Sequence, residues 1–400
     1  MTMSIPVEPD SAGSPRRDNG FALFNLGFRP FYLLAALFAA LSLPVWVGQY
    51  LGLVPAVSFV PALAWHTHEM VFGFAVAVVT GFLFTAARNW TGLPTPSGGT
   101  LAALAGLWLL GRVVMLTGPA PVAAVVDTAF LPAVAWCLWL PLRRARNRNQ
   151  FFVAILAALA VVNAMFHASH LTTAPFTAVL CAQIGLACIV MIVAIMAGRV
   201  IPAFTRNAMR SARVRVVRGL DAASLLTLAA ALVGWLASLP AAFVLPIAIA
   251  AAVVNGARLW SWDPWSTRGE PILWVLHLSY AWIPIGMVLL GLAVAGAAGS
   301  TALAVHALGV GAVGGMIVGM ITRTARGHTG RPLRVSGAET FAYVLVHLAA
   351  LMRVLVPLAL PYAYTTGLIA SAALWSAAFA LYCFVYWPIL TRPRIDGKPG

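Results

Sequence analysis

About twelve times between residue 31 and residue 388, the chain runs through a stretch of almost wholly apolar residues. Each stretch has about the 20 residues that a helix needs to cross roughly 30 Å of hydrocarbon. Backbone amides facing lipid must be satisfied within their own segment, so such runs dictate helices. The expected spans are 31–51, 68–87, 100–117, 121–142, 151–171, 176–198, 220–238, 241–259, 272–296, 300–322, 338–360 and 364–388. The expected fold is therefore all-α, a polytopic membrane protein built as a bundle of about twelve transmembrane helices. Of the 400 residues, 62% are hydrophobic and 9% charged, and the mean hydropathy is +0.92, far from soluble globular proteins. Residues 1–20 are expected to be a disordered cytoplasmic segment, 21–390 a single transmembrane domain and 391–400 a short basic tail. The polar, proline-containing start does not have the form of a cleavable signal.

A net charge of +15 would suggest nucleic acid if the basic residues were clustered, but they alternate from loop to loop. Arg16, Arg17, Arg29, Arg88, Arg143 to Arg148, Arg199 to Arg218, Arg258, Arg268, Arg323 to Arg334 and the tail residues all fall on one side of the expected topology. Of the 25 basic residues, Arg112 and Arg353 alone lie away from that side, inside spans. This positive-inside pattern places both termini in the cytoplasm and makes the lipid bilayer, not nucleic acid, the partner. Cys137, Cys181, Cys188 and Cys383 sit in apolar runs without CxxC spacing and are expected to pack as small core residues.

Polar side chains at membrane depth are costly and have partners, so all eight histidines carry information. "WHTHEM" brings His66, His68 and Glu69 to the outer start of the second span, and His167 and His170 mark the outer end of the fifth. His306 lies one or two turns into the tenth span, His347 near the middle of the eleventh, His277 in the inner part of the ninth, and His328 in the inner loop "RTARGHTGRPL". At about 100° per residue, His66 and His68 point roughly 200° apart, so they can serve two centres, or one centre and one hydrogen bond. Imidazole suits zinc, copper and iron, including axial ligation of haem. Glu69, Asp127 and Glu339 are nearly the only acids in or near spans, which argues against calcium, magnesium or a di-iron carboxylate site. Helix-to-helix hydrogen bonding remains the alternative for any single histidine.

Gly311, Gly315 and Gly319 follow GxxxG spacing, which admits a neighbouring helix or the edge of a flat cofactor. Arg112, near the end of the third span, is placed to snorkel. Arg353 has no acid near it in sequence and would suit a haem propionate or a buried polar network.

"LFNLGFRPFYLLAALFA" from Leu23, "WHTHEMVFGFAVAVVTGFLFTAARNWTG" from Trp65, "GRVIPAFTRN" from Gly198 and "HALGVGAVGGMIVGMITRTARGHTGRPL" from His306 together resemble the NnrS family. Arg88 departs from the family pattern before NWTG. The resemblance implies an inner-membrane protein containing haem and copper, associated with nitric oxide metabolism, denitrification and resistance to nitrosative stress. It carries over to His66, His68, Glu69, His306 and His328, and less distinctively to His167 and His277. The expected metal ligands are His66, His68, His167 and His306, gathered in one outer region, with His347 and His277 as further candidates. Glu69, Arg353, His328 and His170 are expected in supporting or cofactor-binding positions. With no soluble redox domain and no CxxCH motif, electrons would come from quinol or a redox protein. The competing class is a proton-coupled secondary transporter with a His, Glu and Arg relay; a structural assembly partner is third.

Overall fold

The computed structural model describes residues 20–55, 58–297 and 299–398. The segment expected to be disordered, 1–20, lies outside the described residues except for Gly20. Twelve long apolar helices run among the described residues: α1 Phe28–Tyr50, α2 Ala62–Thr91, α3 Gly98–Thr117, α4 Ala120–Arg144, α5 Arg148–Leu171, α6 Ala178–Ala208, α7 Arg218–Leu236, α8 Ala241–Ser261, α9 Pro271–Val294, α10 Thr301–His328, α11 Gly337–Ala359 and α12 Pro361–Thr391. The close pairs are true reversals. α3 and α4 are separated by an extended turn at Gly118, and α7 and α8 by Ser238 at φ +51°.

Several helices outrun the spans expected from hydropathy. α2 begins at Ala62, not 68, so the WHTHEM motif lies one to two turns inside the helix. α6 and α10 continue to Ala208 and His328 because the polar ends of "GRVIPAFTRN" and "TRTARGH" have partners that keep them helical. Arg199 donates to Asn149 Oδ1 at 2.8 Å, and Arg326 grips both oxygens of Glu339 at 2.7 and 2.6 Å.

Burial ranks the helices. The most apolar stretch of α2 is 89% buried inside the protein and that of α10 is 72%, against 28% for α7. α2 and α10 are therefore the heart of the bundle, and α7 faces lipid. Each of these two central helices changes winding on the way through. Glu69–Ala75 in α2 and Ala307–Gly314 in α10 are π-helical, and each segment opens directly after a histidine. Such segments insert an extra residue into the turn and re-aim the side chains around it.

α12 packs along α1 and so joins the last helix to the first. The Arg29 guanidinium donates to the carbonyls of Leu390 and Arg392 at 2.9 and 2.8 Å, and Ala22 N–H donates to Thr391 O. The tail folds back as well: Arg394 donates to His328 O at 2.9 Å, and Ile395 N–H to Thr329 O. The start of the first helix and the end of the last thus lie on the same face, where the arginines gather.

This arrangement predicts opposite accessibility for two exposed reversals. With the native cysteines replaced, Ala145→Cys should react with an impermeant thiol reagent from the cytoplasmic side alone, and Ser238→Cys from the outer side alone. Labelling of both from one side would contradict the topology.

Candidate functional site

The histidines expected to form one outer metal region divide into two groups on opposite sides of α2. His66 and His306 line a cavity between α2 and α10, whereas His68 and His167 turn toward α3, α4 and α5. The roughly 200° between His66 and His68 in the sequence is what sends them apart.

The cavity encloses about 150 Å³. Its walls are mostly apolar, with Leu43 and Trp46 from α1, Phe74 from α2, Leu186 from α6, Val310 from α10 and Trp375 from α12. Polar groups enter at few points. The His66 ring stacks on Trp46, with centroids 3.9 Å apart and planes 18° apart, and its Nδ1 has no hydrogen-bond partner among the described residues. His306 Nδ1 lies 2.6 Å from Ala302 O, so it carries the N–H and leaves Nε2 with its lone pair. Arg353 also lines the cavity and donates to Tyr364 Oη at 3.3 Å. Gly309 faces the space.

The glycines singled out by spacing do something else. A Cβ at Gly311 would strike the Trp282 ring; at Gly315 it would meet Ser279 Oγ at 2.5 Å and His347 at 2.8 Å; at Gly319 it would meet Leu276 and Val275. The GxxxG face is therefore a close helix-packing surface, chiefly against α9, with no room for a flat cofactor.

The second group is a buried polar box. His68 Nδ1 is 3.0 Å from Glu69 Oε1, and His68 Nε2 is 2.8 Å from Asn163 Oδ1 and 3.1 Å from Asp127 Oδ2. His167 Nε2 lies 3.0 Å from the same Asp127 oxygen, and Asn163 Nδ2 donates to it at 2.8 Å. Arg112 spans the two carboxylates, donating to Glu69 Oε2 at 2.6 Å and to Asp127. Donor atoms of His68, Asp127 and His167 all fall within 4.8 Å of one another, the one such grouping of metal-ligating side chains among the described residues. Small residues make the room. A Cβ at Gly73 would lie 2.8 Å from both Arg112 Nη1 and Glu69 Oε2, and Trp108 Nε1 donates to Gly73 O at 3.1 Å. Arg112 is thus a buried bridge, not the snorkelling residue that its position near a helix end suggested.

The remaining candidates lie elsewhere. His347 Nδ1 accepts from Trp282 Nε1 at 3.2 Å, and His277 Nε2 is 3.0 Å from Thr205 Oγ1 in the inner half of the bundle. His170 Nδ1 sits 3.1 Å from Phe166 O one turn back. The His328 ring packs near Phe28, 5.7 Å between centroids, at the opposite end from the cavity. Asp127, Arg112 and Asn163 were missed as site residues. Their signal was present: a carboxylate, a guanidinium and an amide stand in three consecutive apolar spans, and each needs a partner.

Fold and site together define a multi-pass membrane protein with imidazoles gathered in two centres on either side of one central helix. The family model described as NnrS protein matches residues 22–394, and the chain belongs to that family. No curated protein matches it.

Arg112→Met would strand two carboxylates at membrane depth, and breaking a buried ion pair costs about 3–5 kcal/mol. A marked fall in the unfolding temperature of the purified protein is expected, with part of the loss recovered when Glu69→Gln is added. Unchanged stability in Arg112→Met would contradict the bridge.

Proposed function

We propose that the chain is a haem-containing protein of the bacterial inner membrane that acts in nitric oxide metabolism and in resistance to nitrosative stress. The carrying observation is the cavity between α2 and α10, in which an apolar volume meets two imidazoles and one guanidinium. Small-molecule sites commonly have apolar walls and a few placed polar groups. A porphyrin asks for the same set: apolar faces, axial nitrogen and a cation for its propionates.

The residues fit that group in detail. The Ala302 carbonyl holds His306 in the Nδ1–H tautomer, which leaves Nε2 as the nitrogen able to bind a metal. His66 is braced flat against Trp46 and has an unpaired ring nitrogen. These two would hold the iron, and Arg353 would pair a propionate. Bound haem would supply an iron centre able to exchange electrons. The chain's own part is to orient the two rings, to exclude water with Leu43, Phe74, Val310 and Trp375, and to keep the guanidinium at one edge. Electrons would come from quinol or a redox protein, as the chain was expected to require.

The reading is tested by absorption spectroscopy of protein purified from haem-replete cells. A Soret band is expected, lost or at least fivefold weaker in His306→Ala and in Gly309→Leu, which fills the cavity. His277→Ala, remote from the cavity, should keep it. A wild-type spectrum flat above the aromatic region would overturn the haem reading and favour the transporter class.

A further inference from the structure

Both ring nitrogens of His68 face oxygen atoms that accept hydrogen bonds. Nδ1 meets Glu69 Oε1, and Nε2 meets Asn163 Oδ1 and Asp127 Oδ2. The Asn163 amide cannot be turned round to relieve this, because its Nδ2 donates to Asp127 Oδ2 and the flipped amide would set oxygen against carboxylate. A neutral imidazole has one N–H. The Glu69 contact uses it, and Nε2 is left with a lone pair aimed at two more. Charge counting gives the same result. Glu69 and Asp127 bring two negative charges and Arg112 one positive, all in side chains no more than 5% exposed. The box carries one net negative charge, a setting that attracts a cation.

We propose that His68 Nε2, Asp127 Oδ2 and His167 Nε2 bind a single first-row transition ion, copper foremost, at a centre distinct from the haem cavity. The donor spacing suits it. Ligand atoms bonded at about 2 Å and at right angles around one ion stand about 3 Å apart, and here Asp127 Oδ2 lies 3.1 Å from His68 Nε2 and 3.0 Å from His167 Nε2. Two imidazoles and a carboxylate select transition ions over calcium or magnesium, and copper(II) binds tightest among the divalent ones. The surroundings are those of a held ligand set. Glu69 takes the far N–H of His68, as a carboxylate behind a metal-bound histidine does, and Arg112 fixes the other oxygens of both acids. His167 Nδ1, which has no partner among the described residues, is free to carry the ring's proton when Nε2 ligates. None of these ligands lines the cavity that holds His66 and His306. The proposal deepens the metal-protein reading of the family but does not need the haem.

The test uses the full chain in detergent, loaded with copper(II) sulfate and desalted, with copper per chain measured by mass spectrometry and the bound ion examined by electron paramagnetic resonance. About one copper per chain with nitrogen hyperfine splitting is expected. Asp127→Asn and His167→Gln should each lower the copper at least tenfold, with an unchanged elution profile and Soret band. His306→Ala should lose the Soret band and keep the copper, so the two centres fail separately. If the cluster variants do not fold, X-ray absorption of the wild type decides: a nitrogen and oxygen shell with imidazole scattering supports the site, and a sulfur shell overturns it. A wild type that retains no copper, or copper retained in both cluster variants, overturns it too.

Discussion

The guanidinium of Arg112, set between Glu69 and Asp127, is the interaction on which the outer half of the bundle depends. A carboxylate on α2 and another on α4 cannot both be held ionised at membrane depth without it. One side chain from α3 thereby ties three helices together, and Asn163 and His167 bring in α5 through Asp127. With the box fixed, α2 is locked in rotation about its own axis. His68 faces α3 to α5, and the opposite side of the same turn must present His66 to the cavity. One turn of α2 thus presents one imidazole to each centre.

The unusual winding of α2 and α10 serves the same end. Both π-helical segments begin immediately after a histidine of interest, and both lie in the two most buried helices. In α2 the segment leaves Gly73 beside the Arg112 and Glu69 contact, where a larger residue would collide with both charged groups. In α10 it turns Gly309 toward the cavity while Gly311 and Gly315 pack on α9. A uniform α-helix keeps fixed angles between these positions, so the local change of pitch is part of how the site is built.

Much of the fold was legible in the sequence because lipid imposes a simple rule on it: each apolar run of sufficient length is one helix. The depth of His66, His68, His167 and His306 could be read in the same way. The partition of these residues was not legible, because hydropathy reports how far along a helix a residue lies and not which neighbour it faces. The 200° between His66 and His68 allows one centre or two, and the choice is made by Asp127. The scarcity of acids in the spans speaks against hard-cation and di-iron sites but not against a single carboxylate beside imidazoles. Arg112 was misjudged for a related reason, since position near a helix end suggests snorkelling unless a buried acid lies within reach. The family blocks at the inner end make contacts that tie the bundle together. Arg29 clasps the end of α12, Arg199 pairs with Asn149, and the GHTGRPL loop receives the tail.

The central claim is that the space between α2 and α10 is shaped for a planar cofactor gripped by imidazole. An electron-density map of the protein purified from haem-replete cells tests it most directly. The account predicts a flat macrocycle there, in contact with His66 and His306 and with an acidic edge at Arg353. A lipid chain in that space, or side chains collapsed into it, would contradict the account.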